Sequence, residues 1–270
     1  MAAPPARARG AEAFAQRYGP WAIVAGASEG IGAAFARALA GRGLDLVLVA
    51  RRPEPLAALA AELPARTVTV AADLATAEGI AAVRAATEAL EVGLVVANAA
   101  YSPSGPFVDA DGADLRRIVD LNCGAVLHLA HHYLPPMAAR RRGGLIVMSS
   151  ASGMQGNPFL STYAASKAFG AVLAEGLWWE LRGSGVDVTA CVAGAVSTPG
   201  LGRASKRDAP GTVTPETVAA AALAGLGKGP RVVPGRLMRV STAFIGRLMP
   251  RTSAIDLMAR ATKRVLRAGD

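Results

Sequence analysis

The stretch Trp21-Ala-Ile-Val-Ala25-Gly26-Ala27-Ser28-Glu29-Gly30-Ile31-Gly32 runs from an apolar, strand-like pentad into a glycine-rich turn and on into alanine-rich helical sequence. Glycines let a backbone turn tightly and approach a ligand closely. A helix that opens directly afterwards offers unpaired N–H groups and the positive end of its dipole to an anion. A glycine trio alone says little. Between a first strand and a first helix it specifies a phosphate-binding turn, with Gly26, Ser28, Glu29, Gly30, Ile31 and Gly32 as candidate contacts.

The same strand-then-helix rhythm continues outward. Strand-like runs are read at 21–25, 46–50, 67–71, 94–97, 145–149, 186–192 and 231–233, and helical patterns at 30–42, 54–63, 76–90, 111–139, 161–183 and 214–226. Near-continuous apolar strands alternating with helices predict an α/β fold: a single doubly wound (Rossmann) domain with a seven-stranded parallel sheet and helices on both faces. No internal repeat or long linker interrupts it. Residues 1–19 read as an N-terminal extension, 20–236 as the dinucleotide-binding and catalytic domain, and 237–270 as a basic helical tail with a loosely amphipathic pattern. Within the domain, residues 197–213 are rich in Gly, Pro, Ser and charge and form a candidate lid.

The second strand ends at Ala50, followed by Arg51 and Arg52. An NAD site usually places an acid here for the ribose hydroxyls, and this chain has none. Arg51 and Arg52 are candidates to bind a 2′-phosphate through charge-assisted hydrogen bonds, so NADPH/NADP+ is expected over NAD(H). Farther on, Tyr163 and Lys167 stand at i, i+4, thirteen residues after Ser150. On a helix they share one face. An ammonium beside a phenol favours the phenolate, and a Tyr so placed can exchange a proton with a substrate oxygen near neutral pH.

Taken in order, these elements resemble the short-chain dehydrogenase/reductase family from about Trp21 to Val233. Beyond the glycine turn and the Ser150, Tyr163, Lys167 set, Asp73 and Leu74 match its adenine-contact pair. Asn98, followed by Ala99, matches its Asn-Asn-Ala-Gly element. Asn122 matches its catalytic Asn, and Val196 and Thr198 fall at its nicotinamide-side segment. The resemblance implies an NADPH-dependent oxidoreductase that moves a hydride between the nicotinamide and a carbonyl or alcohol. Tyr163 would serve as general acid or base, Ser150 as a hydrogen-bond donor to the substrate oxygen, and Lys167 as the group that lowers the Tyr163 pKa and holds the nicotinamide ribose. Asn122 would hold a relay water. A homodimer or homotetramer is implied in the same way. The chain departs from the family at Ala25, Ala97, Ala100 and Ala193, where Thr, Asn, Gly and Pro are usual.

Residues 151, 152, 154, 159 and 160, with Tyr101, Ser102 and Phe107, make a mostly apolar wall, which suits a steroid-, acyl- or terpenoid-like small molecule. The other reading is a non-catalytic NADP-binding regulator or scaffold. His128, His131 and His132 lack an acid or Cys at ligand spacing, so no metal is expected. The net charge of +9 comes without a nucleic-acid module, so no nucleic-acid partner is expected, while the basic tail leaves open a contact with a membrane surface. Two isolated cysteines and the lack of an apolar leader fit a cytoplasmic protein.

Overall fold

The computed structural model describes residues 6–198 and 211–267. Seven parallel strands form one sheet: β1 Trp21–Ala25, β2 Asp45–Ala50, β3 Thr67–Ala71, β4 Val92–Ala97, β5 Gly143–Ser150, β6 Val186–Ala193 and β7 Arg231–Val232. Their order is β3-β2-β1-β4-β5-β6-β7. The helices are α1 Ala6–Tyr18, α2 Gly30–Ala40, α3 Pro53–Glu62, α4 Ala77–Thr87, α5 Gly112–Val119, α6 Ala125–Ala139, α7 Ser161–Glu180, α8 Pro215–Gly225, α9 Arg236–Leu248 and α10 Arg251–Arg267. This is the doubly wound α/β domain that the alternation predicts.

Strand side chains alternate between the two faces, and both faces are covered. Val24, Leu46, Leu48, Leu94, Val96 and Ile146 pack with Phe35 and Leu39 of α2 and Val218 and Leu223 of α8. Ile23, Val47, Val49, Val95, Leu145 and Val147 pack on the other face with Val83 of α4, Leu129, Tyr133 and Met137 of α6, and Ala171 and Ala174 of α7. Each large side chain fully buried in this way contributes roughly 1.5–3 kcal/mol. Because the chain winds outward in both directions from the β1–β4 pair, a crevice opens at the carboxyl ends of those strands, where such sheets take their ligands.

The structure adds detail to three segments. The N-terminal extension contains a docked helix, α1. Tyr18 is buried, its hydroxyl donates to Asp187 at 2.6 Å, and Arg17 Nε donates to the same carboxylate at 2.7 Å. Gly93 lies directly beneath: a Cβ there would come within 2.4 Å of the carbonyl oxygens of Tyr18 and Gly19. The helix expected over 111–139 is divided by a π-helical turn, Asp120–Gly124, between α5 and α6. The tail is two helices broken before Pro250, where Met249 is extended (φ −92°, ψ 133°), the conformation that a following proline imposes. Of the lid reading, residues 199–210 lie outside the described residues. Its two flanks pair, Ser197 N–H donating to Val213 C=O at 2.9 Å and Val213 N–H to Ala195 C=O at 3.1 Å.

Tyr18→Phe removes one donor from a carboxylate that Arg17 still holds. The expected loss is about 1.5–3 kcal/mol, the range for a hydrogen bond to a charged group, read by urea denaturation. An unchanged midpoint would mean that the Tyr18 hydroxyl adds nothing beyond the Arg17–Asp187 pair.

Candidate active site

Helix α7 starts at Ser161 and lays its first two turns against the end of β5. The approach is close: a Cβ on Gly153 would stand 2.6 Å from Ala168 N, and Ser149 Oγ donates to Lys167 C=O at 2.7 Å. Ser149 is therefore the structural serine and Ser150 the one facing Tyr163, as the spacing indicates. Tyr163 and Lys167 share a helix face. Lys167 is buried, its Nζ donates to Met148 C=O at 2.9 Å, and it lies 5.6 Å from the centre of the Tyr163 ring. Ser150 hydrogen-bonds the Tyr163 phenol, while its Oγ also accepts from Ser152 N–H at 3.2 Å.

The electrostatics correct one expectation. Burial pushes the Tyr163 phenol above its ordinary value; the Ser150 hydrogen bond works the other way and is outweighed. Lys167 does not make the phenol acidic in this arrangement, because the amine is itself discouraged from carrying charge. Burial lowers it to about 8, with a small opposing effect from Cys123.

Asn122 sits in the π-helical turn, a distortion that recurs at functional sites. Its Oδ1 accepts from Tyr101 N–H at 2.8 Å, and its Nδ2 donates to Tyr101 C=O and Ser166 Oγ, both at 3.0 Å. Both amide hydrogens are thus committed to protein groups. Asn122 ties the β4 loop to α7, where Ser166 Oγ donates in turn to Tyr163 C=O at 2.7 Å. The amide ties these elements together, with both of its hydrogens engaged by protein groups. Ser166 was missed as a site residue; its adjacency to Lys167 on a buried face was the available signal.

The glycine turn follows β1. Gly26 (φ +75°) and Gly30 (φ +57°) occupy the left-handed region, and a Cβ on Gly32 would fall 1.9 Å from the Gly26 carbonyl oxygen. Glu29 is the N-cap of α2 but makes no side-chain cap hydrogen bond. Its carboxylate instead accepts from Arg52 at 3.0 Å. Ser28 and Ile31 complete the turn, with Ile31 packed against the core. Asn98 Nδ2 donates to the carbonyls of Ala25 and Gly26 at 3.2 and 3.1 Å, so this residue braces the turn. Ala99 is the backbone that a Cβ on Gly26 would strike, at 2.8 Å. A tight, braced turn opening onto a helix whose N-cap side chain does not close it fits a dinucleotide pyrophosphate.

Around this turn, Arg51 is exposed and has no hydrogen-bond partner among the described residues, whereas Arg52 is engaged by Glu29. Leu74 is buried beside Asp73. Burial works to raise the Asp73 carboxyl, but hydrogen bonds from Arg117 (2.5 Å) and Ala75 N–H (3.1 Å) outweigh it and hold the group below its ordinary value. Arg117 was not foreseen; it reaches Asp73 from α5. Val196 and Thr198 follow β6, Val196 buried and bridged to Val213. Two of the departures from the usual pattern are paired: Ala25 and Ala97 are register partners on β1 and β4, both buried, so neither leaves the other an orphaned polar group.

The sequence profile of the short chain dehydrogenases matches residues 20–209. The chain belongs to this family. As a short-chain dehydrogenase it is a nicotinamide-dependent oxidoreductase. It is 32% identical over 267 residues to a very-long-chain 3-oxoacyl-CoA reductase of Anas platyrhynchos, covering 95% of this chain and 84% of the relative. It is 33% identical over 234 residues to a 7beta-hydroxysteroid dehydrogenase of Collinsella aerofaciens, covering 82% and 88%. Among solved structures, one from work on 7beta-hydroxysteroid dehydrogenase stereoselectivity superposes with a TM-score of 0.85 at 30% identity, covering 91% of this chain and 98% of that one. A short-chain dehydrogenase from Sphingobium yanoikuyae in complex with NADPH gives 0.74 at 31% identity, covering 91% and 95%.

In this short-chain dehydrogenase, the tail roofs the wall at 151–160. Thr262 Oγ1 donates to Asn157 Oδ1 at 3.0 Å, both side chains buried; Lys263 lies 5.4 Å over the Phe159 ring; and Met238 fills the space beside Gly194. Phe159 itself is a non-glycine residue at φ +68°, a costly conformation that this packing maintains.

A Lys whose folded pKa is about 8 binds fewer protons than the unfolded chain, which holds its own to about 10.5. Stability therefore rises with pH between about 8 and 10, and the burial cost is fully present below 8. Lys167→Met is expected to stabilise the cofactor-free protein at pH 7 by up to about 3 kcal/mol, with the gain shrinking toward pH 10. Denaturation curves at the two pH values check this; a gain independent of pH would locate the effect elsewhere.

Proposed function

We propose that the protein is an NADPH-dependent reductase, or in reverse an alcohol dehydrogenase, acting on an apolar small molecule. The observation that carries this reading is the convergence of Ser150, Tyr163 and Lys167 at the end of β5, within the crevice that the glycine turn opens. When bound, the nicotinamide supplies or accepts a hydride at the substrate carbon. The protein's part is with the oxygen. Ser150 donates a hydrogen bond as negative charge grows there, and Tyr163, kept protonated by its burial, delivers the proton. Lys167, held by Met148 C=O, is placed to hold the nicotinamide ribose. Asn122 and Ser166 fix the α7 backbone that carries Tyr163.

The preference for NADPH is supported by Ala50 and Arg51 at the end of β2, where the strand's last residue is not the acid that would repel a 2′-phosphate. An apolar substrate is supported by the partly buried wall of Ala151, Met154, Phe159 and Leu160, with Ile255 of the roof close enough that a Cβ on Gly156 would meet it at 3.5 Å. Relatives named for steroids and for long acyl chains are in keeping with it. A homodimer or homotetramer belongs to the same reading, supported by exposed Leu127 on α6 and Val172 and Trp179 on α7. So does a cytoplasmic setting, supported by the two free thiols, Cys123 and Cys191.

Tyr163→Phe is expected to lower turnover by roughly 100-fold or more while NADPH still quenches intrinsic fluorescence on binding. Turnover retained in this variant would remove Tyr163 from the proton transfer, and failure of the wild type on a broad ketone panel would favour a non-catalytic NADP-binding role. Arg51→Ala is expected to lower the ratio of NADPH to NADH specificity by about tenfold or more, the value of a charge-assisted hydrogen bond. An unchanged ratio would place the 2′-phosphate elsewhere.

A further inference from the structure

Helix α9 presents a face that leaves three large apolar side chains exposed among the described residues. Leu237, Val240 and Phe244 are 61%, 68% and 52% exposed and span about 60° of the helix circumference. Met238 and Thr242 point the other way, Met238 against Gly194 and Thr242 buried, so the helix is seated and its apolar stripe faces out. Arg236 and Arg239, both exposed and without ion pairs among the described residues, lie along the Val240 edge of that stripe. The surrounding sequence is one-sided in charge: no Asp or Glu occurs between Glu216 and Asp256, while Lys228, Arg231, Arg236, Arg239, Arg247 and Arg251 do. Arg231 is paired with Glu175. Among the described residues no helix is long and apolar enough to cross a membrane.

We propose that this face of α9 docks the protein on an anionic lipid bilayer, lying in the interface plane with Leu237, Val240 and Phe244 inserted and Arg236 and Arg239 on the headgroups. An apolar stripe bordered by cations is the pattern of an interfacial helix. The charges choose between the two simplest occupants. A second copy docked symmetrically through this face would oppose Arg236 and Arg239 with the same cations; an anionic headgroup layer neutralises them. Helix α9 also contacts the 151–154 turn beside Ser150, so docking sets the substrate wall close to the bilayer surface. The inference stands on exposure and charge and does not depend on the catalytic reading.

The test is co-sedimentation of the full chain with phosphatidylglycerol–phosphatidylcholine vesicles and with phosphatidylcholine alone. Binding is expected to the mixed vesicles, to weaken with salt, and to fall by roughly tenfold in Val240→Glu and in Phe244→Glu. Unchanged thermal unfolding of these surface variants shows that they fold. Absence of binding to the anionic vesicles, or binding retained in both variants, overturns the proposal. So does sedimentation velocity showing that Val240→Glu splits a wild-type oligomer, which would make this face a contact between copies.

Discussion

The protein holds an amine and a phenol together where neither is readily charged. Lys167 is enclosed by α7 and the end of β5, with one carbonyl, Met148, for company, and burial drops its amine to about 8. Tyr163 is pushed the opposite way on its own scale, so that it too favours neutrality. The same desolvation acts on an acid and a base in opposite directions. In the free protein the phenol therefore stays protonated and the amine holds its proton less firmly than usual. In the proposed mechanism, a bound cationic nicotinamide would shift that balance toward the phenolate and so couple proton transfer to occupancy of the crevice.

The rest of the fold serves to keep this small assembly in place. The β1–β4 crossover sets the crevice, Asn98 braces the glycine turn from β4, and Asn122 in the π-helical turn links the β4 loop to α7. Few of these contacts involve the reacting atoms. They fix backbone, which is the economical way to position side chains to the tolerance that proton transfer requires. The alanines at Ala25 and Ala97 show what can be given up: two facing polar groups are absent together, and the strands close over the gap.

Much of this was legible in the sequence. Every strand was located within a few residues, because buried parallel strands write themselves as apolar runs. The glycine turn and the Ser150, Tyr163, Lys167 set were legible because their spacing is local. What the sequence hid was long-range. Tyr18 and Arg17 meet an acid on β6, Arg117 on α5 reaches Asp73 after β3, and Thr262 finds Asn157; no local pattern announces such partners. The π-helical turn was hidden for another reason: its extra residue shifts the helical phase only once, by about 100°, and leaves no motif of its own. The direction of the Tyr163 shift was misread because two nearby residues suggest a charge pair, and burial, which decides whether the charge exists, is not visible in spacing.

The most direct measurement is a pH titration of the Tyr163 ring carbon bearing the hydroxyl, by carbon-13 NMR, in the free protein and in the NADP+ complex. The account requires a phenol that stays protonated beyond pH 10 alone and ionises at lower pH once the cationic nicotinamide is present. A phenol that ionises below pH 10 in the free protein, or at the same pH in both states, would contradict it.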